Sequence, residues 1–215
     1  MNDIQEKPVL IEIKDVSYAY PPDEGSEPDP VLSHIDLTIR EGEYVAVLGH
    51  NGSGKTTQIS LLCARLKEDG RRVTATAEPT EGPVGGLVRE ALEGGTSRSA
   101  CEMATLFTAD RVAHNVNPAH GIRKLLNEGY VVVCDRYYYS TIAYQGSTTD
   151  FEWARTINVD CPDIRRPDLC IFLDLTPQAS MERIGKNRRV LHILLRQHIG
   201  FPHDNHPLYT YCTQK

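Results

Sequence analysis

No apolar run in these 215 residues approaches the roughly 20 that a membrane-crossing helix needs. The first residues lack the charged-then-apolar profile of a signal peptide, so the expectation is a soluble, cytoplasmic chain with no direct membrane insertion. No C-x-x-C pair occurs among Cys63, Cys101, Cys134, Cys161, Cys170 and Cys212, and several sit in apolar runs, as buried reduced thiols do. Basic charge is not in excess either. Lys and Arg number 23 against 29 Asp and Glu, a net charge of −6, which disfavours a nucleic-acid partner. Internal repeats and low-complexity tracts are missing. What remains is the composition of a folded domain: 40% hydrophobic residues to fill a core and 24% charged residues to solvate a surface. The length suits one α/β domain with a small appendage.

Residues 9–20 and 31–40 partly alternate apolar with polar side chains and predict two half-exposed strands. The four prolines between positions 21 and 30 predict a loop between them. Residues 44–48 are continuously apolar, the pattern of a strand covered on both faces of a parallel sheet. Strands and helices then alternate. Helices are expected at 55–69, 87–92, 100–116 and 121–128, with strands at 72–77, 130–135 and 169–175 and a helix at 177–186. Such alternation predicts a parallel sheet flanked by helices. The tail from 190 to 215 shows no usable periodicity and is expected to be poorly ordered.

Gly49, His50, Asn51, Gly52, Ser53, Gly54, Lys55 and Thr56 satisfy G-x-x-x-x-G-K-[ST] between a predicted strand and a predicted helix. Glycines let the backbone wrap so that N–H groups point at phosphate oxygens, and the helix N-terminus adds partial positive charge. Lys55 then reaches the β/γ-phosphates, Thr56 ligates Mg²⁺, and Thr57 completes the loop. The competing reading is a chance glycine-rich turn. The loop predicts a nucleoside triphosphate, ATP, but not what it is used for.

Downstream of this loop the chain resembles the thymidylate kinases, from about residue 52 to 189. The likeness rests on G-S-G-K-T-T-Q at 52–58, T-A-E-P at 76–79, L-F-T-A-D-R at 106–111 and D-R-Y-Y-Y-S-T-I-A-Y-Q-G at 135–146. R-P-D-L-C-I-F-L-D at 166–174, Pro177 and E-R-I at 182–184 continue it. Residues 9–57 instead resemble the start of an ABC-type ATPase of the energy-coupling-factor or cobalt-importer kind, in which the aromatic matching Tyr20 stacks on adenine. L-S-G-G-Q and the acidic L-D-E-P strand end of those ATPases are absent. Both families share G-S-G-K-T-T, so a junction inside that stretch is implied. The expected organisation is an ABC-like β-rich segment (1–43), a P-loop thymidylate-kinase-like domain (44–189) and an atypical tail (190–215).

The resemblance implies that Phe107 stacks on thymine, that Arg111, one turn on, hydrogen-bonds its carbonyl, and that Tyr144 walls the sugar. A core Phe with a surface Arg, and a Tyr half-buried on its own short helix, are the plainer alternatives. Asp135 and Arg136 stand where a strand meets its loop; Asp135 could order Mg²⁺ or a sugar hydroxyl and Arg136 the acceptor phosphate, or the two could form a structural ion pair. Glu78 closes a strand near the same face and is expected to help bind substrate or, through water, the metal. Arg183, Arg188 and Arg189 fall where nucleotide kinases carry a basic lid, although a solvated helix end explains them too. The histidines at 192, 198, 203 and 206 fit no settled metal site. Asn51 stands where many family members carry an acid, and Ala77 where they carry Arg. Taken together these features predict an α/β P-loop kinase converting ATP and dTMP to ADP and dTDP with Mg²⁺, compatible with a homodimer. The competing readings are an ATP-binding transporter fragment and a hybrid chain with little activity.

Overall fold

The run Tyr-Val-Ala-Val-Leu-Gly forms β3 (Tyr44–Gly49), the strand around which the sheet is built. In the computed structural model, which describes residues 7–19, 30–49 and 51–173, β3 lies between β5 (Val131–Asp135) and β6 (Leu169–Leu173). β4 (Val73–Ala77) flanks β5 on its outer side, giving the order β4-β5-β3-β6 with all neighbours parallel. Residues 44–48 and 131–134 are all buried because helices or strands cover both sheet faces.

Alternation along the strands splits the core in two. Tyr44, Ala46, Val132 and Cys134 pack against Ile122, Tyr137, Tyr138, Ile142, Val159 and Ile164. Val45, Val47, Val131 and Val133 face Ile59, Cys63 and Leu66 of α1 (Lys55–Glu68). The hairpin of β1 (Val9–Ala19) and β2 (Pro30–Arg40) closes the edge of this second layer, with Ile39 fully buried and Leu10, Ile11 and Leu37 packed against it.

The first layer carries α2 (Pro83–Leu92), α3 (Ala100–Val116), α4 (Ile122–Asn127), α5 (Tyr138–Tyr144) and α6 (Phe151–Val159). Helix α3 begins at a reciprocal capping box: Ser99 Oγ accepts from Glu102 N at 3.2 Å, and Glu102 Oε2 accepts from Ser99 N at 2.7 Å.

Two elements depart from expectation. Helix α2 starts at Pro83 rather than Leu87. Its glycine pair breaks the helical pattern in the sequence, but Gly85 is required by packing, since a Cβ there would stand 1.9 Å from the Thr80 carbonyl oxygen. Helix α6 was not expected at all. It is short, and its start is set by Asp150, whose Oδ1 accepts from Trp153 N at 2.7 Å. The helix expected at 177–186 and the tail from 190 lie outside the described residues.

The chain leaves β3 for β4 on one side, and later leaves β5 for β6 on the other. The carboxyl ends of β3 and β5 therefore border the crevice where open α/β sheets bind ligands.

Candidate active site

β3 delivers the phosphate loop at Gly49, where φ is +145° and a Cβ would lie 2.7 Å from both the Leu173 carbonyl oxygen and Ser53 Oγ. No other residue fits so close an approach. At the far end Gly54 caps α1 in the left-handed conformation (φ +87°) and offers no side-chain acceptor to the first-turn N–H groups. Those groups, with the helix dipole, make an anion site. Ser53 Oγ is buried in the loop with no hydrogen-bond partner among the described residues.

Lys55 is only 6% exposed and donates from Nζ to the Gly49 carbonyl at 2.9 Å. Burial pulls its pKa down to about 8, and the nearby Arg136 cation adds to that, against a smaller opposing pull from Asp135. A triphosphate would restore the ammonium, so binding above that pKa takes up a proton. Apparent ATP affinity should therefore fall above about pH 8, approaching about tenfold per pH unit. Calorimetry near pH 8.5 in buffers of differing ionisation enthalpy should register the proton uptake. An affinity flat to about pH 9.5 would contradict it.

β5 ends beside this loop. Thr56 Oγ1 donates to Asp135 Oδ2 at 3.0 Å, and Asp135 Oδ1 is buried without a partner among the described residues. A hydroxyl and an orphaned carboxylate oxygen at a phosphate cradle are the hard oxygen donors a magnesium ion accepts. Arg136 follows in the left-handed region (φ +66°), with its N–H on the Val47 carbonyl at 3.0 Å. That backbone turn aims the side chain over the loop: Nη2 donates to Asn51 Oδ1, and Cζ lies 5.8 Å from the centre of the Tyr144 ring. Lys55, Thr56, Asp135, Arg136, Asn51 and Tyr144 thus converge from three elements of the fold.

The other expected residues sit differently. Phe107 is half-buried on α3. Arg111, one turn on, is 1% exposed; its Nε donates to Glu78 Oε2 at 2.8 Å, and its Nη2 is ion-paired with the same oxygen at 2.7 Å. The Glu78 side chain is 2% exposed, and its other oxygen lies 3.0 Å from His114 Nδ1. Glu78 was expected to reach substrate or metal. Both its oxygens are instead committed inside the protein, because the end of β4 runs under α3. Tyr20, His50, Arg183, Arg188 and Arg189 lie outside the described residues.

Sequence reasoning missed the rest of this buried network. Asp110, within the L-F-T-A-D-R motif, accepts from Thr80 N at 2.8 Å and Thr80 Oγ1 at 2.5 Å, and so ties the loop after Glu78 to α3. His114 Nε2 is 2.7 Å from Thr76 Oγ1. Asn158 and Thr141 also bond Arg111. Asp110 could have been found from its motif, whereas Asn158 carries no local signal.

Comparison with known proteins agrees with this geometry. The thymidylate kinase family model matches residues 47–199, starting inside β3 and running past Arg189. A probable thymidylate kinase of Pyrococcus horikoshii is 39% identical over 153 residues, 66% of this chain and 70% of that protein. One from Pyrobaculum aerophilum is 43% identical over 143 residues, 66% of this chain and 69% of that protein. Among solved structures, a thymidylate kinase from Candida albicans superposes with a TM-score of 0.56 at 26% identity, covering 66% of this chain and 67% of that one. The transporter-ATPase alternative is not favoured. A P-loop at the switch point of a parallel sheet, with a family match over most of its length, shows that this chain belongs to the thymidylate kinase family, the kinases that phosphorylate dTMP to dTDP.

Proposed function

We propose that this chain transfers the γ-phosphoryl group of ATP to dTMP in line, giving ADP and dTDP, with Mg²⁺ held at Thr56 and Asp135. The observation that carries this reading is the convergence of Lys55, Thr56, Asp135 and Arg136 at the carboxyl ends of β3 and β5. Catalysis of this kind is mainly positioning and charge neutralisation. Lys55 and the loop N–H groups hold the donor phosphates, while Arg136, fixed by Asn51, faces the incoming acceptor phosphate. Phe107 stacks on the base, Arg111 offers it a donor and Tyr144 walls the sugar. The metal, when bound, would screen charge on the β- and γ-oxygens. The reading is of a cytoplasmic enzyme of small molecules, and the net charge of −6 supports the absence of a nucleic-acid partner. No helix among the described residues is long and apolar enough to cross a membrane.

Its test is a coupled assay of ADP release with and without dTMP, together with thermal shifts. ADP release should depend on dTMP. Thermal protection by dTMP should exceed that by dCMP or GMP, by up to about 2.7 kcal/mol at a hundredfold excess over Kd. Equal protection by all three nucleotides, with no dTMP-dependent ADP release, would overturn the reading.

A further inference from the structure

Base selection by an arginine requires its guanidinium to be held still, because a mobile fork can satisfy either a carbonyl or, through water, an amino group. Arg111 is 1% exposed and its donors are almost all committed. Nε donates to Glu78 Oε2, Nη2 donates to Thr141 Oγ1 at 3.2 Å with its other N–H side ion-paired to Glu78 Oε2 at 2.7 Å, and Nη1 donates to Asn158 Oδ1. One Nη1 N–H is left over from the five of a guanidinium. The Tyr137 ring lies against the same group, its centre 5.2 Å from Cζ.

Asn158 is fully buried on α6, and its amide has one workable orientation. Nδ2 donates to the Ala154 carbonyl at 2.9 Å one turn earlier, so Oδ1 faces the guanidinium, where Thr108 Oγ1 also reaches it at 3.3 Å. We propose that Asn158 is a positioning residue for base selection, occupying one Nη1 N–H so that a single donor of fixed direction is left for the substrate. A lone fixed donor pairs with the 4-carbonyl of a pyrimidine and meets the 4-amino group of cytosine donor to donor. Glu78 keeps the guanidinium charged and anchored at Nε, and Asn158 stops the far end from turning. The inference rests on the thymidylate reading above and assigns the role to a residue outside every motif that supports that reading.

The experiment measures kcat and KM for dTMP, dUMP and dCMP at saturating ATP in the full chain, Asn158→Ala and Asn158→Asp. Asn158→Ala should lower the dTMP:dCMP ratio of kcat/KM about tenfold, through a raised KM for dTMP with kcat little changed. The dTMP:dUMP ratio should not move, since both bases carry the 4-carbonyl and differ only in a methyl group. Asn158→Asp, which keeps an acceptor oxygen on Nη1, should retain the dTMP:dCMP ratio of the parent. A general loosening of α3 against α6 would shift both ratios together, and that outcome, or an unchanged dTMP:dCMP ratio in Asn158→Ala, overturns the proposal. Should Asn158→Ala not fold, a tenfold shift in the dTMP:dCMP ratio of Asn158→Asp overturns it instead, and a retained ratio supports it. Failure of the parent chain to phosphorylate dTMP would remove the underlying reading, and this role with it.

Discussion

Lys55→Ala is expected to lower kcat/KM on the order of 10³-fold and to weaken ATP binding, without destabilising the fold. Lys55 is the cation whose ammonium sits at the mouth of the phosphate loop, on the Gly49 carbonyl. Its effect on stability runs the other way. The folded pKa of about 8 lies below the ordinary lysine value of 10.5, so below about pH 8 the folded protein bears the cost of a charged, buried ammonium. That cost fades as pH rises from about 8 towards the unfolded value, because the folded protein sheds the proton first. Alanine removes the cost altogether. At neutral pH the variant should be at least as stable as the parent, and the difference should narrow in alkaline buffer. Steady-state kinetics with urea titrations at two pH values separate the effects. Turnover and ATP affinity unchanged in Lys55→Ala would refute the role of the loop.

Glu78→Ala should cost about 3–5 kcal/mol of stability, the range for breaking a buried ion pair from one side. Arg111 would be left charged at 1% exposure with only neutral partners, Asn158 and Thr141, and His114 would lose its carboxylate. At roughly 2–4 °C per kcal/mol for a chain of this size, the melting temperature should drop by about 10 °C. Glu78→Gln, which keeps one acceptor oxygen, should lose less. A melting temperature within a few degrees of the parent for Glu78→Ala would mean that water reaches Arg111 and that the pair is not sealed. Since Glu78 also anchors Arg111, any folded fraction should show a raised KM for dTMP while the KM for ATP is little affected.

The donor side of the site was legible in the residues alone. Gly49 to Thr56 is a contiguous motif whose spacing is its chemistry, and the apolar runs at 44–48 and 130–135 could only be buried parallel strands. Asp135 and Arg136 were placed at a strand end by the same local pattern, and the register Val47↔Asp135 brings that end to the loop. The Phe107–Arg111 spacing put both on one turn of α3, and the resemblance to thymidylate kinases supplied a base for them to meet. Local periodicity carries such information because neighbours in a strand or helix are neighbours in sequence.

Only the tertiary structure decided which partner each charge has. Glu78 stands at the end of β4, and its fate depends on α3 crossing above it, 33 residues downstream by the Arg111 contact. Asn158 meets Arg111 across 47 residues, through a helix that the sequence reading did not anticipate. Asn51 and Arg136 meet across 85 residues because β5 inserts beside β3 rather than following it. Buried polar groups must find partners wherever the packing brings them, since an unpaired donor or charge in the core costs more than any local preference supplies. The sheet order therefore determines these pairings, and the residues' own spacing cannot.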